Sequence, residues 1–396
     1  MSVSVKMKEG VERSSLVRRM FEAGMVLAAE VGRENVYDFS LGNPNMAPPP
    51  AFQEALIRQA ALELPGKHGY MANAGLPEVR ELTAAALSRE QGLPVPAESL
   101  IMTCGAGGAL NVIFKTILNP GDRVLVSRPY FMEYDFYVDN HGGLLESLPA
   151  TPDFEPDLGE LEKRLSGKTA AVLINSPNNP TGAVYGEGTL RALGDLLRQK
   201  SREAGRVIYL ISDEPYRKIV FDGITVPPVF PYYENSIIAT SYSKNLSIPG
   251  ERIGYLAVNP RAEFFADLTA GAVLANRILG FVNAPALMQR ITGEIAGVSV
   301  DPGVYQKKRD CLCAALEEQG WEFKRPQGTF YLFPKAPGGD DLGVIEALRR
   351  ERILAVPGRG FGLPGYFRLA FCVSDQTIQA SLPSFKRAKA ALAQGG

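Results

Sequence analysis

Histidine is almost missing from this chain: His68 and His141 are the only two in 396 residues. A metal centre built on clustered histidines is therefore not expected. Cysteine is scarce too. Cys104, Cys311, Cys313 and Cys372 form no paired CxxC framework and fall far short of a secreted disulfide scaffold, so a reducing cytoplasm is the expected compartment. An excess of one charge is also lacking, since 42 basic and 43 acidic residues leave a net charge of −1. Nothing in the bulk calls for nucleic acid or an acidic membrane as partner. No apolar run approaches the ~20 residues needed to span a bilayer. The opening MSVSVKMKEGVERSSLVRRMFEAG carries charges throughout and has no signal-peptide core.

What is present is a rhythm. Short apolar runs recur between residues 100 and 260: RVLVS (123–127), AAVLINS (170–176), VIYLIS (207–212), SIIATS (236–241) and RIGYLAV (252–258). They are continuous rather than alternating, as in strands buried on both faces. Amphipathic stretches such as GTLRALGDLLRQKSREAG (188–205) separate several of them. The pattern predicts an α/β fold: a three-layer α/β/α large domain with a mostly parallel sheet. After residue 290 the texture changes. QKKRDCLCAALEEQG reads as a helix ending at Gly320, followed by strand candidates WEFKRP, TFYLFP and YFRLAFC. A smaller α+β domain, assembled from the N- and C-terminal segments, is expected there. The boundaries read as 1–45 for the N-terminal segment, 46–285 for the large domain and 286–396 for the small one, with NMAPPP (45–50) at the first crossing.

In an open parallel sheet, ligands sit beyond the carboxyl ends of the strands. RVLVS is followed by RPYF, AAVLI by NSPNNPTG, VIYLIS by DEPY and SIIAT by SYSK. One such cluster is ordinary turn chemistry; a succession of them in one sheet points to a shared site. TCGAGGALNVIFKTIL (103–118) adds a glycine-rich turn opening an apolar helix, whose free N–H groups suit a phosphate. It matches neither GxGxxG nor GxxxxGK[ST].

NNPTG, SDEPY and SYSKNLSIPGERIGY, in that order and framed by SLGNP (40–44) and FRLAF (367–371), identify a resemblance to the fold-type I pyridoxal-phosphate enzymes. Within them the chain is similar to the class I and II aminotransferases related to aspartate aminotransferase. The resemblance implies pyridoxal 5'-phosphate as cofactor, with Lys244 joined to its aldehyde and later carrying a proton at the substrate Cα. A lysine desolvated near other cations is suited to that role. Asp213 is similar to the partner of the pyridine nitrogen. Tyr216 and Asn179 resemble the pair on the phenolic oxygen, and Asn179 would also touch the substrate carboxylate. Gly105, Ala106, Gly107, Ser241 and Arg252 would form the phosphate cup. Tyr70 matches a tyrosine that reaches the neighbouring subunit's phosphate, which implies a homodimer with shared sites. Phe131 takes the place of the ring stacked on the pyridine. Arg368 resembles the fork that clamps the α-carboxylate, and Gly42 lines that pocket.

Relatives that read a side-chain carboxylate use either a lysine, at the place held here by Gly107, or an arginine from the neighbouring subunit, for which Arg277 is the candidate. Aspartate or glutamate, alanine, and aromatic or other neutral amino acids stay open as substrates. The expected activity is transfer of an amino group from an L-amino acid to a 2-oxo acid. A carbon–sulfur β-lyase or an aminocyclopropane-carboxylate synthase of the same fold is the alternative. A cofactor-binding transcription regulator would need a DNA-binding domain, and residues 1–39 show no helix-turn-helix pattern.

Overall fold

The computed structural model describes residues 3–12, 24–27 and 29–394. Its main sheet has seven strands: β2 (Leu100–Thr103), β3 (Arg123–Ser127), β4 (Leu144–Leu148), β5 (Thr169–Asn175), β6 (Tyr209–Asp213), β7 (Ser236–Ser241) and β8 (Gly254–Val258). They lie in the order β2-β8-β7-β6-β5-β3-β4. Only β8 runs against its neighbours, pairing antiparallel with both β2 and β7. The remaining strands therefore share one direction, and the sheet is mostly parallel as the continuous apolar runs require.

Both faces are covered. Val124, Val126, Ile237 and Ala239 pack with Leu110, Ile113 and Phe114 of the helix Gly105–Ile117 and with Leu268 of the helix Phe265–Ile278. Their neighbours turn the other way. Leu125, Val172 and Leu210 meet Leu190, Leu193 and Leu197 of the helix Glu187–Ala204. Leu100, Met102 and Ile238 meet Val79 and Leu87 of the helix Pro77–Gln91 and Met288 and Ile291 of the helix Ala286–Glu294. Alternation of side chains along a strand sorts these residues into two buried layers. The helix Ala286–Glu294 thus packs on the large sheet, across the boundary expected at residue 285. Its Met288 and Ile291, and Ile295 just after it, face that sheet's core, and no sequence break marks where the chain leaves it.

The remaining strands are short. β1 (Tyr37–Asp38) pairs in parallel with β10 (Ile353–Leu354), while β11 (Val356–Pro357), β12 (Phe367–Ala370) and β9 (Tyr331–Leu332) form an antiparallel sheet. Phe39 joins the two sheets: its N–H donates to Leu354 O at 2.9 Å and its carbonyl accepts from Ala370 N at 2.8 Å. Around them, Trp321, Leu312, Leu316 and Phe385 share a core with Tyr216, Ile219 and Phe221 of the segment after β6. The helix expected to end at Gly320 spans Pro302–Glu318. Asp301 caps its N-terminus and Gly320 follows at φ +75°, a left-handed conformation that suits glycine. WEFKRP forms no strand. Lys324 and Arg325 are exposed in surface ion pairs, Pro326 has no N–H to give, and the segment is held by Trp321 N–Leu316 O at 2.9 Å and Lys335 N–Glu322 O at 2.8 Å.

Candidate active site

The parallel strands bring their carboxyl ends to one edge of the sheet. β3, β5, β6 and β7 are consecutive neighbours there, so Phe131, Asn179, Asp213 and Lys244 follow from adjacent strand ends. Register sharpens this: Asn175, the last residue of β5, is paired with Asp213, the last residue of β6. The Asn175 side chain donates to Asp213 O at 2.8 Å and accepts from Asn179 N at 2.8 Å. One amide thus fixes both loops.

Asp213 is buried. Its Oδ2 accepts from the Tyr134 hydroxyl at 2.6 Å, while Oδ1 is buried with no partner. Burial pushes the carboxyl up to about 7, with the Tyr134 hydrogen bond opposing the rise and Glu214 adding to it. A bare carboxylate oxygen in such a place calls for a donor.

Lys244 lies in the loop after β7 and donates from Nζ to Gly42 O at 2.8 Å. Burial lowers its amine to about 8; Cys372 raises it, and Arg368 and Arg252 lower it further. Gly42 is required by contact, because a Cβ there would overlap the Tyr331 hydroxyl. That hydroxyl sits 2.9 Å from the Tyr216 hydroxyl. Burial, followed by the charge of Tyr331, drives the Tyr216 phenol well above its ordinary value.

Arg368, in β12, is 2 % exposed. Its guanidinium donates to Asn179 Oδ1 at 3.1 Å and to Ser40 O at 2.6 Å, leaving Nε buried and unpartnered. The planar group lies between the rings of Tyr331 (4.4 Å) and Phe361 (4.7 Å). No ion pair joins it to a carboxylate among the described residues. Phe361 belongs to GRGFG (358–362), a 3-10 turn that walls this pocket rather than cradling a nucleotide.

At the far side, Gly105 begins its helix at φ +73°. Cys104 offers no side-chain cap, so the amides of Gly105, Ala106 and Gly107 have no capping partner. The Arg252 guanidinium rests 3.0 Å from where a Cβ on Gly105 would be. Ser241 ends β7 beside it, paired with Gly254 of β8. Amides at a helix start, a guanidinium and a hydroxyl make an anion cup. Gly107 lies against the Tyr137 hydroxyl, and Phe131 meets Tyr134 edge-on with ring centres 5.6 Å apart.

Two expected residues stay apart from this cluster. Tyr70 is 94 % exposed, and Arg277 is exposed at the end of the helix Phe265–Ile278. They nonetheless share an edge, because Asn73 donates to Val282 O at 2.7 Å and Asn276 donates to Asn73 O at 2.8 Å. Sequence reasoning passed over Asn175, Tyr134 and Tyr331. The strand-end register could have found Asn175. Tyr134 and Tyr331 carry no signal of their own, since a tyrosine in an apolar stretch reads as core. His141 sits 3.2 Å from Asn111 Oδ1 through Nε2, and the described residues hold no His/Cys/Asp/Glu cluster fit for a metal.

A family model for aminotransferase class I and II matches residues 34–384. A probable aspartate/prephenate aminotransferase of Thermus aquaticus is 33% identical over 372 residues, covering 91% of this chain and 94% of that protein. The aspartate/prephenate aminotransferase of Thermus thermophilus is 32% identical, covering 91% and 93%. Among solved structures, an amino transferase from Eubacterium rectale superposes with a TM-score of 0.95 at 40% identity, covering 99% of both chains. The aspartate aminotransferase from Thermus thermophilus with maleate gives a TM-score of 0.84 at 30% identity, covering 98% of this chain and 100% of that one.

Proposed function

The chain belongs to the class I and II aminotransferases, and from that membership we propose that it moves an amino group between an L-amino acid and a 2-oxo acid on pyridoxal 5'-phosphate. The residues fit the cofactor. Asp213 Oδ1 is a buried acceptor without a donor, suited to a protonated pyridine nitrogen. Gly105, Ala106, Gly107, Ser241 and Arg252 suit its phosphate, and Tyr216 with Asn179 suits its phenolic oxygen. When bound, the cofactor supplies an aldehyde for the amino group and a ring that accepts electrons as the Cα–H bond breaks.

The chain's own groups do the rest. With its amine near 8, Lys244 is neutral in roughly a tenth of molecules at pH 7 and can take and return a proton at Cα. Arg368 binds the α-carboxylate through its fork, with Asn179 as second donor, and the rings of Tyr331 and Phe361 keep the guanidinium plane fixed. Phe131 covers the pyridine face. The observation that carries this reading is Asp213, a buried carboxylate with one oxygen bare, at the end of the strand beside the one that leads to Lys244.

The two-body division is part of the proposal: Arg368 and Gly42 come from the segments around the small sheets, and Lys244 and Asp213 from the large one. So is a homodimer, because Tyr70 and Arg277 stand exposed on one edge and would serve a second copy's site. A cytoplasmic setting is supported by four unpaired cysteines. Gly107 stands where a lysine would read a side-chain carboxylate, so for a substrate that carries one, Arg277 from a second copy is the proposed partner.

The test is a half-reaction screen. An amino acid should abolish the visible absorbance of the bound cofactor, a 2-oxo acid should restore it, and Lys244→Ala should do neither. Turnover to ammonia without any 2-oxo-acid acceptor would overturn the reading in favour of a lyase.

A further inference from the structure

Tyr134 is a buried phenol placed at the most charge-sensitive point of the site. It stands in the short helix Glu133–Asp139, three residues after Phe131. Its hydroxyl donates to Asp213 Oδ2 at 2.6 Å, and its ring meets Phe131 at an interplanar angle of 88°. The two oxygens of Asp213 are thereby made unequal: Oδ2 is occupied and Oδ1 is bare. The Asn175 amide on Asp213 O fixes the backbone, so the hydrogen bond from Tyr134 is what holds the carboxylate plane and leaves one oxygen for the ligand.

We infer that Tyr134 is a positioning residue that dedicates Oδ1 of Asp213 to the ring nitrogen, favours the ionised form of that carboxyl, and seats Phe131 against the opposite part of the same ligand. This rests on the assignment of Asp213 to the pyridine nitrogen given above. A hydrogen bond from a neutral phenol stabilises the charged carboxylate more than the protonated acid. Burial opposes that charge, and the phenol is the first group to offset burial. The groups facing the pair do not replace it. Glu214 adds repulsion but is tied to Ser212 and Arg217, while Tyr137 and Tyr185 are raised by burial and stay neutral through the physiological range.

The test measures binding rather than turnover. Full-length protein carrying Lys244→Ala, so that binding is non-covalent, is titrated with pyridoxal phosphate from pH 5.5 to 8.5. Adding Tyr134→Phe keeps the ring against Phe131 but removes the hydroxyl. Affinity should fall about tenfold at neutral pH, the worth of one charge-assisted hydrogen bond. The acid limb of binding should also move to higher pH, because Asp213 then keeps its proton longer. Replacing residue 134 with difluorotyrosine, a stronger donor of nearly the same shape, should move that limb the other way. Opposite shifts from two ring-preserving changes do not arise from packing alone, and the difluorotyrosine shift by itself decides the matter if the phenylalanine variant folds poorly. Asp213→Asn is the reference. If it weakens binding while both changes at residue 134 leave the limb in place, Tyr134 is merely structural and the inference fails. If Asp213→Asn binds like the parent, the assignment of Asp213 itself is overturned.

Discussion

At the scale of single residues, the site is a set of buried charges that fold badly alone and work well together. Lys244 shows it in the cofactor-free protein. Its amine is depressed to about 8 in the folded chain, against ~10.4 in an unfolded one. A depressed lysine contributes its stability above the unfolded value and loses it as pH falls toward 8. Apoprotein carrying Lys244→Met should therefore be more stable than the parent below pH 8, by on the order of 2 kcal/mol, with the gap closing toward pH 10. Urea unfolding at both pH values reads this out. Arg368→Lys tests the fork: the charge survives but the planar pair of donors does not. KM for the amino acid should rise about a hundredfold with a smaller fall in kcat. A rise in KM below threefold would show that Arg368 does not hold the carboxylate.

At the scale of elements, legibility followed burial. RVLVS and SIIATS are strands over the residues read from the sequence, because each is an unbroken apolar run closed by polar turns. β2 and β4 were not read as strands. LIMT is four residues long and could equally be a helix fragment, and LLESL leaves Leu144 exposed at the sheet edge. The reversal of β8 was illegible because direction depends on the connection, not on composition. That connection is the loop that carries Lys244: residues 242–253 turn the chain back, with Arg252 at φ +51°. The glycine that follows is fixed by contact. A Cβ on Gly254 would strike Thr240 O and sit 3.0 Å from the Gly105 backbone. Gly254→Ala should destabilise the fold by about 2 kcal/mol in urea unfolding and loosen the phosphate cup. The site residues that belong to motifs were readable; Tyr134 and Tyr331 were not, since only folding brings a phenol to Asp213 or to Tyr216.

At the scale of the whole molecule, the proposed dimer would make the working unit larger than one chain, with Tyr70 and Arg277 exposed on the edge that a second copy would meet. Mixing is the sharpest check. Lys244→Ala lacks its own lysine, and Arg277→Ala would spoil the site of its neighbour. After subunit exchange, half of the dimers would be hybrids with one intact site each, so activity toward aspartate should recover to about a quarter of the parent's. No recovery, with exchange verified by mass, would mean that Arg277 serves no neighbouring site. Tyr70 and Arg277 could be named from motifs, but their function could not be seen in one folded chain.

The hydrogen bond from Lys244 to Gly42 carries one more consequence. Gly42 lies on the thread that runs from the large sheet's edge through Phe39 into both small sheets. The Lys244 amine thus also ties that thread to the loop after β7. The backbone around residues 40–46 should then exchange its amide hydrogens faster in Lys244→Ala than in the parent apoprotein.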